Sequence, residues 1–217
     1  MLDAETRPRA LASVFFRRAS PRILVAALAT AIAARAWLGG FGARDLLPLG
    51  ALAILWPLQE WLIHVVVLHW KPRRVLGRTL DFAVPRKHRA HHADPTSLAL
   101  VFIPLHSYLY TLPGVAALWW LVTPDAALAL TGIAGHLALS LHYEWVHFLV
   151  HTRWRPRWRP YQVLWRNHRL HHYKNERYWF GVTRLAADRW LGTQPARDAV
   201  PTSATCRTLG VVSSPEF

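Results

Sequence analysis

The sequence predicts an all-α integral membrane fold: four transmembrane helices with a helical cap on one side. Three observations predict it. Four long apolar runs divide the 217-residue chain. The basic residues fall almost entirely on one side of those runs. The histidines gather at the run ends on that same side.

The runs come first. They are "ILVAALATAIAARAWLGG" (23–40), "LLPLGALAILWPLQEWLIHVVVLHW" (46–70), "LALVFIPLHSYLYTLPGVAALWWLV" (98–122) and "AALALTGIAGHLALSLHYEWVHFLV" (126–150). Each is near or above the ~20 residues that cross ~30 Å of hydrocarbon as a helix. The first is the poorest, because it is short and contains Arg35. The last two are separated only by "TPD" and read as a tight hairpin.

Charge gives the orientation. The formal net charge is +14, and Arg far outnumbers Lys. All basic residues except Arg35 and Arg44 lie before the first run, in the loop 71–97 or after residue 151. Positive residues stay on the cytoplasmic side, so both termini and the 71–97 loop are expected there. The charge is therefore a signature of topology, with attraction to anionic lipid as a by-product, rather than of nucleic-acid binding. Abundant Arg and Ala with few Lys suit a GC-rich genome and point to a bacterial inner membrane. The domains read as a basic cytoplasmic segment 1–21, a membrane domain 22–194 and a polar, disordered tail 195–217. The lone Cys206 excludes an internal disulfide and a cysteine-based metal site.

The histidines fall in four clusters, all on the cytoplasmic side of this topology. His64 and His69 end the second run. His88, His91 and His92 lie in the loop "KHRAHHADP". His147 and His151 end the fourth run. His168, His171 and His172 lie in "NHRLHHYKN". The spacing H-x-x-H-H puts residues i, i+3 and i+4 on one side of a helix, and "HFLVH" does the same at i, i+4. His64 and His69 are i, i+5, about 140° apart on an ideal helix. That suits two different metals, or a helix that loosens at its end. Ten imidazoles are too many for one tetrahedral site and suffice for two ions with about five nitrogens each. The cap is thus expected to hold a histidine-rich di-metal site. His106 and His136 are isolated and read as structural, while His142 is a candidate for supporting a ligand.

These residues carry a resemblance. The series H-x4-H, H-x-x-H-H, H-x3-H, H-x-x-H-H resembles the fatty acid hydroxylase/sterol desaturase superfamily, above all its fatty acid 2-hydroxylase branch. "EWLIHVVVLH" (60–69), "YEWVHFLVH" (143–151), "HRLHHYKNERYWFGVT" (168–183) and "DRWLGT" (188–193) are similar to that branch's motifs. The resemblance covers roughly residues 45–194. Val65, Ser97 and Leu100 depart from it, at positions that supply no metal ligand.

The resemblance implies a membrane di-iron monooxygenase hydroxylating a lipid acyl chain, most often at C2 of a fatty acid or fatty acyl lipid. It implies two iron ions, which zinc can replace on isolation, O2 as co-substrate and an external electron-transfer protein. It assigns no catalytic residue beyond the metal ligands. Glu60, His142, Tyr143, Glu144, Asn167 and Tyr173 stand in or beside the motifs and are the candidates for supporting those ligands. Within the superfamily the alternative is a sterol or carotenoid hydroxylase or desaturase. Outside enzymes, a membrane metal-binding or transport protein would also place histidines in helices. Transport needs ligands near the bilayer midplane, whereas these clusters stand at helix ends.

Overall fold

The computed structural model of the protein describes residues 8–211. Among these, α1 (Pro8–Phe16) and α2 (Ala19–Leu38) precede α3 (Leu46–Leu62), which runs on as a π-helix over Ile63–Leu68. A short antiparallel hairpin follows, β1 (Arg73–Val75) with β2 (Arg78–Leu80). Then come α4 (Ala83–Ala93), α5 (Leu98–Val101), α6 (Tyr108–Val122), α7 (Ala126–Val150), α8 (Arg159–Tyr173) and α9 (Ala186–Trp190).

Among the described residues, four stretches are long and apolar enough to cross a membrane: Ala19–Leu38, Ala43–Leu68, Leu98–Val122 and Ala126–Val150. The third is not one continuous helix. It breaks between α5 and α6, where Phe102 and Pro104 are extended. Pro104 has no N–H to donate, and the residue before a proline is pushed out of the helical region. Hydropathy alone does not register such a break.

The chain forms two compact units: one through Trp56 with Ile103–Val146, the other Pro57–Phe102 with the chain from His147 onward. The first unit is built as a bundle in lipid would be. Small clusters fill its interior, with Leu24, Ala31, Tyr108 and Leu137 in one and Leu52, Trp119 and Ala129 in another. Its large apolar side chains point outward: Trp37 is 90% exposed and Leu121 84%. Soluble monomers rarely expose apolar surface on this scale, and the protein is a multi-pass membrane protein. Gly132 permits the helix contact there, because a Cβ would stand 2.3 Å from the Trp119 ring.

Polar groups inside this unit are paired. Arg35 is buried, donates bidentately to Asp45 at 2.7 and 2.9 Å, and reaches the Thr131 hydroxyl at 2.9 Å. The residue that weakened the first run as a span is thus a neutralised member of a network. Glu144, also buried, accepts from the Ser20 hydroxyl and from Ile103 N–H at 2.8 Å.

In the second unit, α4, α8 and the ends of α3 and α7 carry the clustered histidines. The segment after residue 195 also belongs here. Its composition suggests disorder, yet it makes a 3-10 turn at Arg197–Ala199 and buries Cys206 and Leu209. Hydrogen bonds to Lys174 and Asn175 hold it in place. Residues 212–217 of that expected tail lie outside the described residues, as do residues 1–7 of the expected N-terminal segment. The rest of the latter is helical, with Phe15 buried in α1.

Candidate metal centre

Four helical segments deliver ten histidines. On α4 and α8 the spacing alone explains the convergence, since i, i+3 and i+4 share one side. The α3 end needs a different device. His69 N–H donates to His64 O at 3.1 Å, an i+5 bond that closes a π turn. Residues five apart then return to the same side of the helix. Of the two sequence-level readings of His64 and His69, the loosened helix is the one observed, and both rings join one group.

The ring nitrogens form two groups, each with one ligand atom per residue and all within 4.8 Å of one another. The first is His64, His69, His88, His92 and His171. The second is His91, His147, His151, His168 and His172. Each H-x-x-H-H triplet is therefore divided. α4 sends His88 and His92 to the first group and His91 to the second. α8 sends His168 and His172 to the second and His171 to the first.

Backbone carbonyls set the rings. Nδ1–H of His64 donates to Phe180 O at 2.7 Å, that of His171 to Tyr178 O at 2.8 Å, and that of His92 to Cys206 O at 2.9 Å. In the second group His147 Nδ1–H donates to Val101 O at 3.0 Å, and the Pro95 backbone holds His151. A carbonyl only accepts, so each of these imidazoles carries its proton outward and turns a lone pair inward.

The inward atoms fit metal ions. In the first group all five Nε2 atoms are buried without a hydrogen-bond partner. Burying that many acceptors unpaired is costly unless something occupies the space between them. In the second group His91 Nε2 and His151 Nε2 are 3.1 Å apart, and His168 Nε2 and His172 Nε2 are 3.0 Å apart. Two imidazoles at right angles on one ion, with bonds of about 2.1 Å, would be separated by about 3.0 Å. Both donor sets are imidazole only, which suits iron, copper or zinc over calcium or magnesium.

Electrostatics agree. Burial, and then neighbouring imidazoles, push His69, His88, His91, His168, His171 and His172 well below the ordinary histidine range. Burial brings His92 down to about 3, against the opposing pull of the Cys206 carbonyl. The rings are neutral at physiological pH, so no proton competes for the lone pairs.

The candidates for supporting the ligands divide. Glu60 is buried and accepts from Val182 N–H, from Thr183 N–H at 2.8 Å and from the Thr183 hydroxyl at 2.5 Å. It thereby anchors the loop whose Tyr178 and Phe180 carbonyls orient His171 and His64. Asn167 is buried on α8. Tyr173 is 41% exposed, with the Arg169 and Arg207 guanidinium groups over its ring. His142, Tyr143 and Glu144 belong to the other unit. So do His106, which is exposed, and His136, which packs edge-on against Trp56.

Sequence reasoning missed the carbonyl holders Pro95, Val101, Tyr178, Phe180 and Cys206, because any residue type supplies that atom. It quoted Asp188 without giving it a role. Asp188 is fully buried and accepts from Phe180 N–H at 3.0 Å, Gly181 N–H at 2.7 Å and the Thr193 hydroxyl at 2.6 Å. Gly181 was the available signal: a Cβ there would sit 2.1 Å from Arg184 O, so the tight loop requires glycine.

Known proteins resemble this chain. The chain is 27% identical over 162 residues to the dihydroceramide fatty acyl 2-hydroxylase FAH1 of Arabidopsis thaliana, covering 74% of this chain and 66% of that protein. It is 28% identical over 159 residues to the ceramide very long chain fatty acid hydroxylase SCS7 of Saccharomyces cerevisiae, covering 67% of this chain and 37% of the relative. The chain thus spans about two thirds or less of these relatives' length. Its fold is similar to a solved structure of full-length scs7p in which only the hydroxylase domain is visible, with a TM-score of 0.65 at 24% identity over 84% of this chain and 66% of that one. The sequence profile of the fatty acid hydroxylase family matches residues 49–193, and the chain belongs to that family.

Proposed function

We propose that the protein hydroxylates a lipid acyl chain at a di-metal centre held by the ten clustered histidines. The observation that carries this reading is the pair of all-imidazole groups, five residues each, with their lone pairs turned inward. His64, His69, His88, His92 and His171 would hold one ion, and His91, His147, His151, His168 and His172 the other. Bound iron would supply the oxidation of an unactivated C–H bond by O2, which zinc, lacking redox chemistry, does not. Overall, one oxygen atom would enter the C–H bond and the other leave as water, with two electrons from an external electron-transfer protein and two protons from solvent.

The protein's own residues prepare the site. Buried neutral rings need no deprotonation to bind metal. The carbonyls of Phe180, Tyr178, Cys206 and Val101 fix which nitrogen faces inward. The apolar outer surface of the helices gives a lipid substrate its route from the bilayer. The relatives' names point to C2 of a fatty acyl chain, carried on a ceramide-type lipid or a free acid. Basic residues flanking the spans favour a cytoplasmic side for both termini and the site, and they would attract an acidic electron donor.

The test is lipid mass spectrometry on cells expressing the protein under 18O2. The expected product is a 2-hydroxy acyl chain carrying one labelled oxygen, absent when His91→Ala replaces the wild type. A desaturated chain, or a hydroxyl labelled only from water, would overturn the assignment. Purified protein is expected to hold about two ions per chain, with zinc standing in when iron is scarce.

A further inference from the structure

The segment beyond the family match, residues 195–211, makes a series of specific contacts inside the second unit. Pro195 O accepts from the indole N–H of the buried Trp179 at 3.1 Å. Pro201 O accepts from the Asn175 amide at 3.1 Å, and Ser203 N–H donates to Lys174 O at 2.7 Å. The Thr205 hydroxyl donates to the buried carboxylate of Glu176 at 2.7 Å. The Arg207 guanidinium reaches Ala93 O at the end of α4. Lys174, Asn175 and Glu176 directly follow α8, which ends one residue after its last ligand, and Ala93 directly follows His92. Between these fastenings the Cys206 carbonyl meets His92 Nδ1–H at 2.9 Å.

The carbonyl holders are unevenly shared. Those of the first histidine group, Tyr178, Phe180 and Cys206, all come from the chain after α8. Those of the second, Pro95 and Val101, come from the chain between α4 and α6. Among the hydrogen bonds described, a disturbance after α8 therefore reaches those of the first group. Such bonds fix ring orientation and ligand basicity, and losing one typically costs 10–100-fold in metal affinity.

We infer that residues 195–211 are a strap belonging to the metal centre: fastened through Thr205 to Glu176, it presents the Cys206 main-chain carbonyl to His92 and sets how tightly the first group holds its ion. The inference rests on the di-metal reading above. Cys206 acts here as a positioning residue through its backbone.

The test measures metal per chain in purified full-length protein during dialysis against EDTA, with thermal unfolding followed in parallel. Wild type is expected to release its two ions slowly. Thr205→Val, which removes the hydroxyl that fastens the strap, should lose one ion 10–100-fold faster and keep the other at the wild-type rate. Thr205→Ser, which restores the hydroxyl, should recover wild-type retention. Deleting residues 195–217 should give the same one-ion loss as Thr205→Val. If Thr205→Val releases both ions together, or neither faster, the strap does not serve one group and the inference falls. If the deletion variant fails to fold, the Thr205 pair decides alone. If wild-type protein never holds two ions, the di-metal reading itself fails, a result readable without any strap variant.

Discussion

Glu60 offers the sharpest test of the outer architecture. It reaches no group-one ring itself, yet it accepts three hydrogen bonds from Val182 and Thr183 and so fixes the loop that orients His64 and His171. Replacing it with alanine strands three buried donors. At about 1–3 kcal/mol for each unsatisfied group, partly relieved by entering water, the expected loss is roughly 3–6 kcal/mol. For a chain of this size, about 2–4 °C per kcal/mol translates this into a fall of roughly 6–24 °C in the melting temperature. Glu60→Gln keeps one acceptor oxygen, and the Thr183 hydroxyl can turn to accept from its amide. That variant should cost only about 1–2 kcal/mol. Differential scanning fluorimetry in detergent gives the stabilities, and chelator-challenged metal content gives the consequence for the site. Glu60→Ala should also retain metal less well than Glu60→Gln. If Glu60→Ala melts within about a degree of wild type and keeps both ions, the loop is held by something other than this carboxylate.

Other outcomes follow from the same geometry. His69→Ala and His91→Ala, in different groups, should each leave about one ion per chain by elemental analysis, whereas His106→Ala should leave two; equal depletion in all three would undo the partition. In metal-free protein, His69, His88, His91, His168, His171 and His172 have folded-state values well below the unfolded value of about 6.5. The unfolded chain therefore takes up protons first as pH falls, and stability should drop steadily below about pH 6.5, by up to ~1.4 kcal/mol per pH unit for each ring. A melting temperature flat from pH 7.5 to 5 in EDTA would contradict their burial as neutral rings. Arg35→Leu alone leaves Asp45 without its partner and should lower the melting temperature, while Arg35→Leu with Asp45→Leu should unfold at a higher temperature than the single variant. Topology reporters fused at residues 42, 85, 124 and 200 should read out, in, out, in; an external signal at 85 would invert the proposed orientation.

Much of this was legible in the sequence, for physical reasons. A bilayer demands long apolar helices, and hydropathy reports that demand directly. The histidine clusters were legible because helical periodicity alone brings His88, His91 and His92, or His168, His171 and His172, to one side. The limits were equally physical. His64 and His69 left two answers, because choosing between an α turn and a π turn depends on what packs around the helix end. The break at Pro104 sat inside an uninterrupted apolar run. The segment after residue 195 looked like a tail because its stability comes from single hydrogen bonds and two buried side chains rather than from a periodic apolar face. Glu60 stood out within its motif, whereas the carbonyls of Val101 and Cys206 have no letter of their own.

The division of each triplet has a mechanical consequence. Successive residues on an α-helix are turned by about 100° and raised by 1.5 Å. In both α4 and α8 the odd histidine out is therefore offset from its two companions by amounts the backbone dictates. The gap between the two nests of nitrogens is gauged by helix geometry, twice over and in opposite senses, and not by any loop. Rotating or sliding either helix would spoil both nests together. Substitutions that adjust one nest while keeping all ten ligands must then act from outside the helices, on the segments that lend their carbonyls.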